Sequence, residues 1–359
     1  SKLIRSLFRM VTRLVPDRSA SFVQQLVSHY APQHQQTSPA DLLMSLDLLR
    51  SISDLLPAEL SSGYFGPLML MIVSQTTILS TLHSSVLLEV FDLVVHFQRQ
   101  LSPQPQAVEP VVAALIDHRG VRHPDPAHRA RACYYLLRLG RGLRSRLVPY
   151  LRTIVSSVGD LLPMAFDGAP RPLVLSLDEK LQLYEVLGYL AQQHHNSFIS
   201  QSNPQIPSSP VTASLPPLVP DDADYALMLL SSPVGQMEEL LQRAAAIAAS
   251  AGSSHDAQSQ LAHIAMLLGH LVACIGAFSK NLNLNNAHAR PHIQHAMQVA
   301  LQALHQMRGS DELRGKILQF MHIMVEVLGA EVLAPLTNAL ATLMDTPSVH
   351  GAAELTKLL

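Results

Sequence analysis

Tryptophan is absent from this 359-residue chain, and aromatic residues together make up only 5%. Strands are rich in aromatic and β-branched residues, and no alternating pattern bounded by turn dipeptides occurs, so the sequence speaks against a sheet-based fold. Charge is also scarce, at 14% against a usual quarter, while apolar residues reach 48%; such a chain has a packed interior and is not disordered. Cysteine is limited to Cys133 and Cys274, far apart and each in an apolar helical context. That excludes a disulfide scaffold and predicts buried thiols in a reducing compartment. The longest apolar run, Ile264 to Phe278, contains His270 and is too short for a bilayer, so a soluble protein without membrane insertion is expected. Nothing resembles a signal peptide, and Ser1 opens directly on a helical pattern, as expected of an internal piece of a longer protein.

Catalytic signatures are missing too. Gly140-Arg141-Gly142 lacks the strand-turn-helix setting of a dinucleotide fingerprint, and there is no HExxH, CxxC or GxSxG. Asp178-Glu179 and Asp221-Asp222 read as capping and solubilising acids. His288, His292 and His295 have i, i+4, i+7 spacing, but no fourth ligand is near and Pro291 interrupts the helix start, so no metal is expected. Neither an enzyme nor a cofactor is expected.

What the chain does have is helical periodicity. Stripes run from Lys2 to Val15, Asp17 to Tyr30, Ala40 to Leu56, Gly63 to Leu79, Leu82 to Leu101, Val108 to Asp117, Ala127 to Gly140 and Arg144 to Leu162. Leu177 to Gln193 follows, with Ser176 and Glu179 forming a capping box. Pro233 to Ser250, Asp256 to Lys280, Ala289 to Met307, Asp311 to Leu328 and Glu331 to Met344 continue the series, and Pro347 to Leu359 reads as a last partial helix. Helices after a break begin near 40, 82, 126 and 177, separations of 42, 44 and 51. Helix pairs at ~40–47 residues are the period of HEAT repeats, which predicts an all-α solenoid. In that phase Ala127 to Gly140 is a second, concave-side helix, ended by Gly140 and Gly142, and Pro149 kinks the next one. Six prolines between Asn203 and Pro220 mark a flexible insertion, 196–222, between helical repeats at 1–195 and 223–359.

One segment departs from the composition of the rest. Residues 119–152 carry nine arginines and one acid, Asp125, for a local charge of +8 in a chain whose total is −2. Such asymmetry predicts a polyanion partner. Pro124-Asp125-Pro126 starts a helix there, and Asp125 with Arg129 fits an inter-repeat charge ladder. Arg131 and Arg138 are two helical turns apart with Tyr134 between them, an arginine–aromatic strip suited to a phosphate backbone. Arg119 and Arg122, in the preceding loop, extend it, and Arg141 lies one turn beyond Arg138. A solvated basic face, or a surface for acidic or amphipathic protein segments on a HEAT-type scaffold or protein-cargo carrier, are the alternatives.

The stretch Ala114 to His123 (ALIDHRGVRH), with Arg129-Ala130-Arg131 and Tyr134 to Arg138 (YYLLR), resembles the tRNA exportins (exportin-T) of the importin-β superfamily. Leu49 to Pro57 and Ser84 to Phe97 precede it in the order of that family; Ser176-Leu177-Asp178, Leu181, Tyr184-Glu185 and Gly188 follow, then Leu229-Leu230, Pro233, Met237 and Gly276 to Lys280. The resemblance implies a HEAT solenoid without catalytic activity that binds tRNA by shape and backbone, with Lys280 joining the arginines. It further implies linkage to Ran in its GTP form, contact with nuclear pore components, shuttling between nucleus and cytoplasm, and a monomer. The family's N-terminal Ran-binding repeats have no counterpart here, so the chain corresponds to middle and C-terminal repeats.

Overall fold

The computed structural model describes residues 2–30, 38–74, 82–101, 105–164, 173–202, 221–250, 255–283 and 289–344. All regular structure among them is helical, and it falls into two compact units, Ser1–Tyr150 and Leu151–Leu359. All six prolines between Asn203 and Pro220, the partial helix after Pro347 and His288 lie outside the described residues.

The first unit contains α1 (Lys2–Leu14), α2 (Pro16–Tyr30), α3 (Pro39–Ser53), α4 (Ala58–Ser74), α5 (Ser84–His96), the single turn α6 (Gln98–Leu101), α7 (Pro105–Ile116), α8 (Pro126–Leu143) and a 3₁₀ segment, Arg144–Tyr150. Its helices start where local chemistry directs. The Ser38 hydroxyl accepts from the Ala40 amide at 3.2 Å, with Pro39 in the first turn, and the Asp125 carboxylate accepts from the Ala127 amide, also at 3.2 Å. Two layers result: α1, α3, α5 and α8 contact one another in succession, as do α2, α4 and α7. This helix-to-next-but-one contact is how stacked helical repeats bury apolar faces that one pair cannot cover. Phe65, Phe91, Phe97, Leu46, Leu49 and Ile52 are at most 1% exposed, each worth about 1.5–3 kcal/mol of burial.

The second unit comprises α9 (Leu151–Val158), a 3₁₀ turn, α10 (Leu177–Ser202), α11 (Asp221–Ser250), α12 (His255–Ser279), α13 (Ala289–Gln306), α14 (Asp311–Leu328), a 3₁₀ turn at Gly329–Val332, and α15 (Leu333–Met344). Here α10, α12 and α14 form one layer and α9, α11, α13 and α15 the other. The capping box stands: the Ser176 amide donates to Glu179 Oε2 at 2.6 Å and the Glu179 amide to Ser176 Oγ at 3.3 Å. By length and composition alone, His255–Ser279 and Asp311–Ala339 could each cross a membrane. The first of these is the central core helix, with Leu268, Cys274 and Phe278 at 0% exposure between α10 and α14.

Several boundaries differ from the sequence reading: α4 begins at Ala58 and not at Gly63, and the stripe from Leu82 to Leu101 divides at Phe97 into α5 and α6. Helix α8 runs through Gly140 and Gly142 to Leu143. Gly142 serves close packing instead, because a Cβ there would lie 1.6 Å from the Gln98 side chain. Helix α10 continues past Gln193 to Ser202, and α11 begins at Asp221 and carries Pro233 internally. Pro149 does mark a break, since the chain is 3₁₀ until Tyr150 and α-helical from Leu151.

Candidate nucleic-acid interface

The arginine segment divides into a locked turn and an open strip. The turn is Asp117 to His123. Asp117 accepts from the Arg119 amide at 2.8 Å and holds the Arg119 guanidinium through Nε at 3.0 Å and Nη2 at 2.6 Å. The Val121 amide donates to the Leu115 carbonyl at 2.7 Å, and a Cβ on Gly120 would sit 2.0 Å from that oxygen, so only glycine fits there. His128 hydrogen-bonds the Arg119 carbonyl at 2.7 Å through Nε2 and stacks on His123 at 3.9 Å between ring centroids. Arg129, 5% exposed, donates to the His123 carbonyl at 3.1 Å. Arg119 is therefore neutralised where it stands, and Arg129 is a buried fastener between turn and helix. Asp125 caps α8, with its carbonyl accepting the Arg129 amide at 3.0 Å. Arg122 is half-buried in the turn, and Arg141 is exposed near the end of α8.

The strip is on α8. Arg131 donates to the Tyr135 hydroxyl at 2.9 Å, and Arg138 to the Tyr134 hydroxyl at 2.8 Å. In each pair the guanidinium carbon is 5.7 Å from the partner's ring centroid, a cation–π distance. Tyr135 is buried, whereas Tyr134 is 43% exposed. Among the described residues no carboxylate is within salt-bridge distance of Arg131 or Arg138. Both cations are held in place by neutral partners and keep their charge for solvent or a ligand.

These four side chains form one wall of an open groove of about 790 Å³ within the first unit. Arg50, Ser53 and Asp54 of α3, Asp92 and His96 of α5, and Gln98 and Arg99 of α6 line the rest. Charges on this face are arranged by the repeat. Arg5 pairs with Asp47 at 2.6 Å, Arg50 pairs with Asp92, and His96 is 3.7 Å from Asp54. Each partner is 42 positions from its mate (5 and 47, 50 and 92, 54 and 96), so equivalent positions of neighbouring helices meet. The next step of 42 from Asp92 and His96 reaches Tyr134 and Arg138, and from Glu89 it reaches Arg131. The ladder of acid–base pairs thus ends at α8 in arginine and tyrosine. Glu89, half-buried, has its carboxyl pushed up by burial, against the pull of Arg50 and, more weakly, Arg131.

Lys280 belongs to the second unit, where it pairs with Glu185 while the Asn283 amide bonds to Gln192 Oε1 at 2.9 Å. His295 is 3.1 Å from Glu238, and among the described residues no cluster of His, Cys, Asp or Glu could hold a metal. Sequence reasoning missed Tyr135, Arg50 and Arg99. The 42-residue step was the signal that could have found Arg50, since it aligns α3 with α5 and α8.

Residues 52–197 match the family model of Exportin-T. Exportin-T of Homo sapiens is 25% identical over 197 residues, covering 53% of this chain and 20% of its own length. Exportin-T of Oryza sativa subsp. japonica is 27% identical over 364 residues, 99% of this chain and 34% of its own length, and that of Dictyostelium discoideum is 23% identical over 294 residues, 79% and 24%. The chain spans about a fifth to a third of the length of these relatives. Several residues quoted for the resemblance in the sequence are architectural here: the Asp117–Gly120 turn, the Glu185–Lys280 pair, and Gly188, where an added Cβ would lie 1.9 Å from the Phe278 carbonyl oxygen. By the family model and these relatives, the chain is similar to Exportin-T, and the family model places that similarity at residues 52–197.

Proposed function

We propose that this chain is the RNA-holding middle part of a nuclear transport receptor that carries tRNA out of the nucleus, together with Ran in its GTP form, and does no catalysis. The observation that carries this reading is the pair of tyrosine-held arginines, Arg131 and Arg138, beside an exposed aromatic ring in a groove whose Asp92 is already paired with Arg50. Guanidinium groups in that state suit a phosphate backbone, and RNA in A-form is read mostly by shape and backbone. Ran, tRNA and pore components would engage the longer receptor, which would shuttle between nucleus and cytoplasm. The surplus of arginine in one segment, 119–152, of a nearly neutral chain supports the same reading.

Titration with tRNA in rising salt tests it. If Arg99, Arg131 and Arg138 meet about three phosphates, log K falls against log salt with a slope of roughly −2 to −3. Charge reversal of Arg131 and Arg138 to Glu weakens binding at least tenfold and flattens the slope by about 2. Equal affinity of the wild type and this double variant for tRNA rejects the assignment. Tighter binding of an acidic peptide than of tRNA would favour a protein-cargo carrier instead.

A further inference from the structure

We propose that the groove seats one unstacked nucleotide of an RNA strand, with its base against the ring of Tyr134 and its flanking phosphates at Arg131 and Arg138. The inference rests on the RNA reading above and narrows it from a backbone surface to a subsite for an unpaired base. Three observations converge on it. First, Tyr134 presents 43% of its surface although it is part of a packed helix, and it lines the groove together with both arginines. A ring left half in solvent on a polar wall is a platform for stacking, and every base has a face to offer. Second, the two guanidinium groups lean toward each other along α8, Arg131 forward to the Tyr135 hydroxyl and Arg138 back to the Tyr134 hydroxyl, which gathers both cations at the Tyr134–Tyr135 pair. Adjacent phosphates of one strand can meet both cations while the base between them turns to the ring. Third, the two guanidinium groups are already oriented by the Tyr135 and Tyr134 hydroxyls at 2.9 and 2.8 Å, which lowers the ordering cost when a phosphate arrives. An acidic peptide would answer the charges but leave the ring unused, and a blunt duplex offers no free base to stack.

The 359-residue chain is titrated at low salt with two RNA hairpins of one stem, the first blunt and the second with a short single-stranded tail carrying 2-aminopurine. The tailed hairpin binds more tightly, and its fluorescence is quenched on binding. Tyr134→Ala weakens the tailed hairpin about tenfold, removes the quenching and leaves the blunt hairpin within about twofold, whereas Tyr134→Phe keeps the quenching and stays within about threefold of wild type. The subsite is overturned if Tyr134→Ala affects both hairpins equally or neither, while Arg131→Glu with Arg138→Glu still weakens both. If neither hairpin binds, or binding ignores that double charge reversal, the RNA reading of the groove fails and the subsite with it.

Discussion

Arg50 of α3 forms an ion pair with Asp92 of α5, and Tyr134 of α8 stands 42 positions beyond Asp92 at the corresponding place in the next helix. The pair removes one cation from the groove that the tyrosine-held arginines share. Asp92→Asn therefore releases the Arg50 charge into the groove. The expected outcome is a several-fold gain in RNA affinity and a salt slope steeper by about 0.7–0.9. It comes with a stability loss of about 1 kcal/mol, because the Asp92 side chain is only 15% exposed. Titration and urea unfolding of the same variant measure both effects, and a loss of RNA affinity would show that Asp92 orders the site by more than its charge.

Glu89 makes the complementary case. Its carboxyl is held up by burial, and Arg131 acts on it from the adjacent helix of the same layer. Glu89→Gln removes a poorly solvated negative charge without changing shape. Stability at neutral pH should hold or rise slightly, and RNA affinity should increase about two- to threefold at low salt and not at high salt, where screening removes the difference.

Gly120 tests whether the Asp117–His123 turn is architectural. A methyl group there would collide with the Leu115 carbonyl, which is backbone and cannot swing away. Gly120→Ala is expected to destabilise the fold by about 2–4 kcal/mol, read from urea unfolding by circular dichroism. Arg119→Ala should cost stability as well but change the salt slope of RNA binding by less than 0.5, since Asp117 already neutralises that guanidinium.

Helical periodicity and proline breaks were enough to place α3, α5, α8 and α10, because each begins with a side-chain or proline signal that acts within four residues. The end of α8 was not legible. Gly142 looks like a terminator in sequence and is in fact a gap filled by Gln98, a contact made by a different helix. The site was half legible for the same reason. The one-helix spacing of Arg131, Tyr134 and Arg138 could be read, but the partners could not. Which tyrosine holds which arginine follows from i, i+4 geometry in the folded helix, and the removal of Arg119 by Asp117 depends on a turn that Gly120 permits. Lys280 entered through the resemblance alone, and in the structure it answers Glu185.

Both cysteines are buried with no exposed surface, and burial pushes the Cys274 thiol up to about 12. The thiolate is the reactive species, so neither residue should react with a thiol reagent in the native protein. Two equivalents are expected only after denaturation. Modification of Cys274 under native conditions would mean that α12 opens, and the rate would then report the local stability of the second unit's core.

His128 supplies a pH signature for the arginine turn. It is buried, and desolvation lowers its pKa below the ordinary value of 6.5, partly offset by its bond to the Arg119 carbonyl. His123 and, more weakly, Arg131 also disfavour its charge, and Asp125 acts the other way. A histidine with a depressed folded pKa contributes stability that is present above the unfolded value and lost as pH falls through the folded one. Unfolding free energy should therefore be flat above about pH 6.5 and decline below it. His128→Gln, which keeps a donor for the Arg119 carbonyl but cannot titrate, should flatten that decline. RNA binding through Arg131 and Arg138 should show no such break in the same range, since that contact does not depend on His128. A parallel fall in stability for wild type and His128→Gln would remove His128 as the cause and place the titrating group elsewhere in the fold.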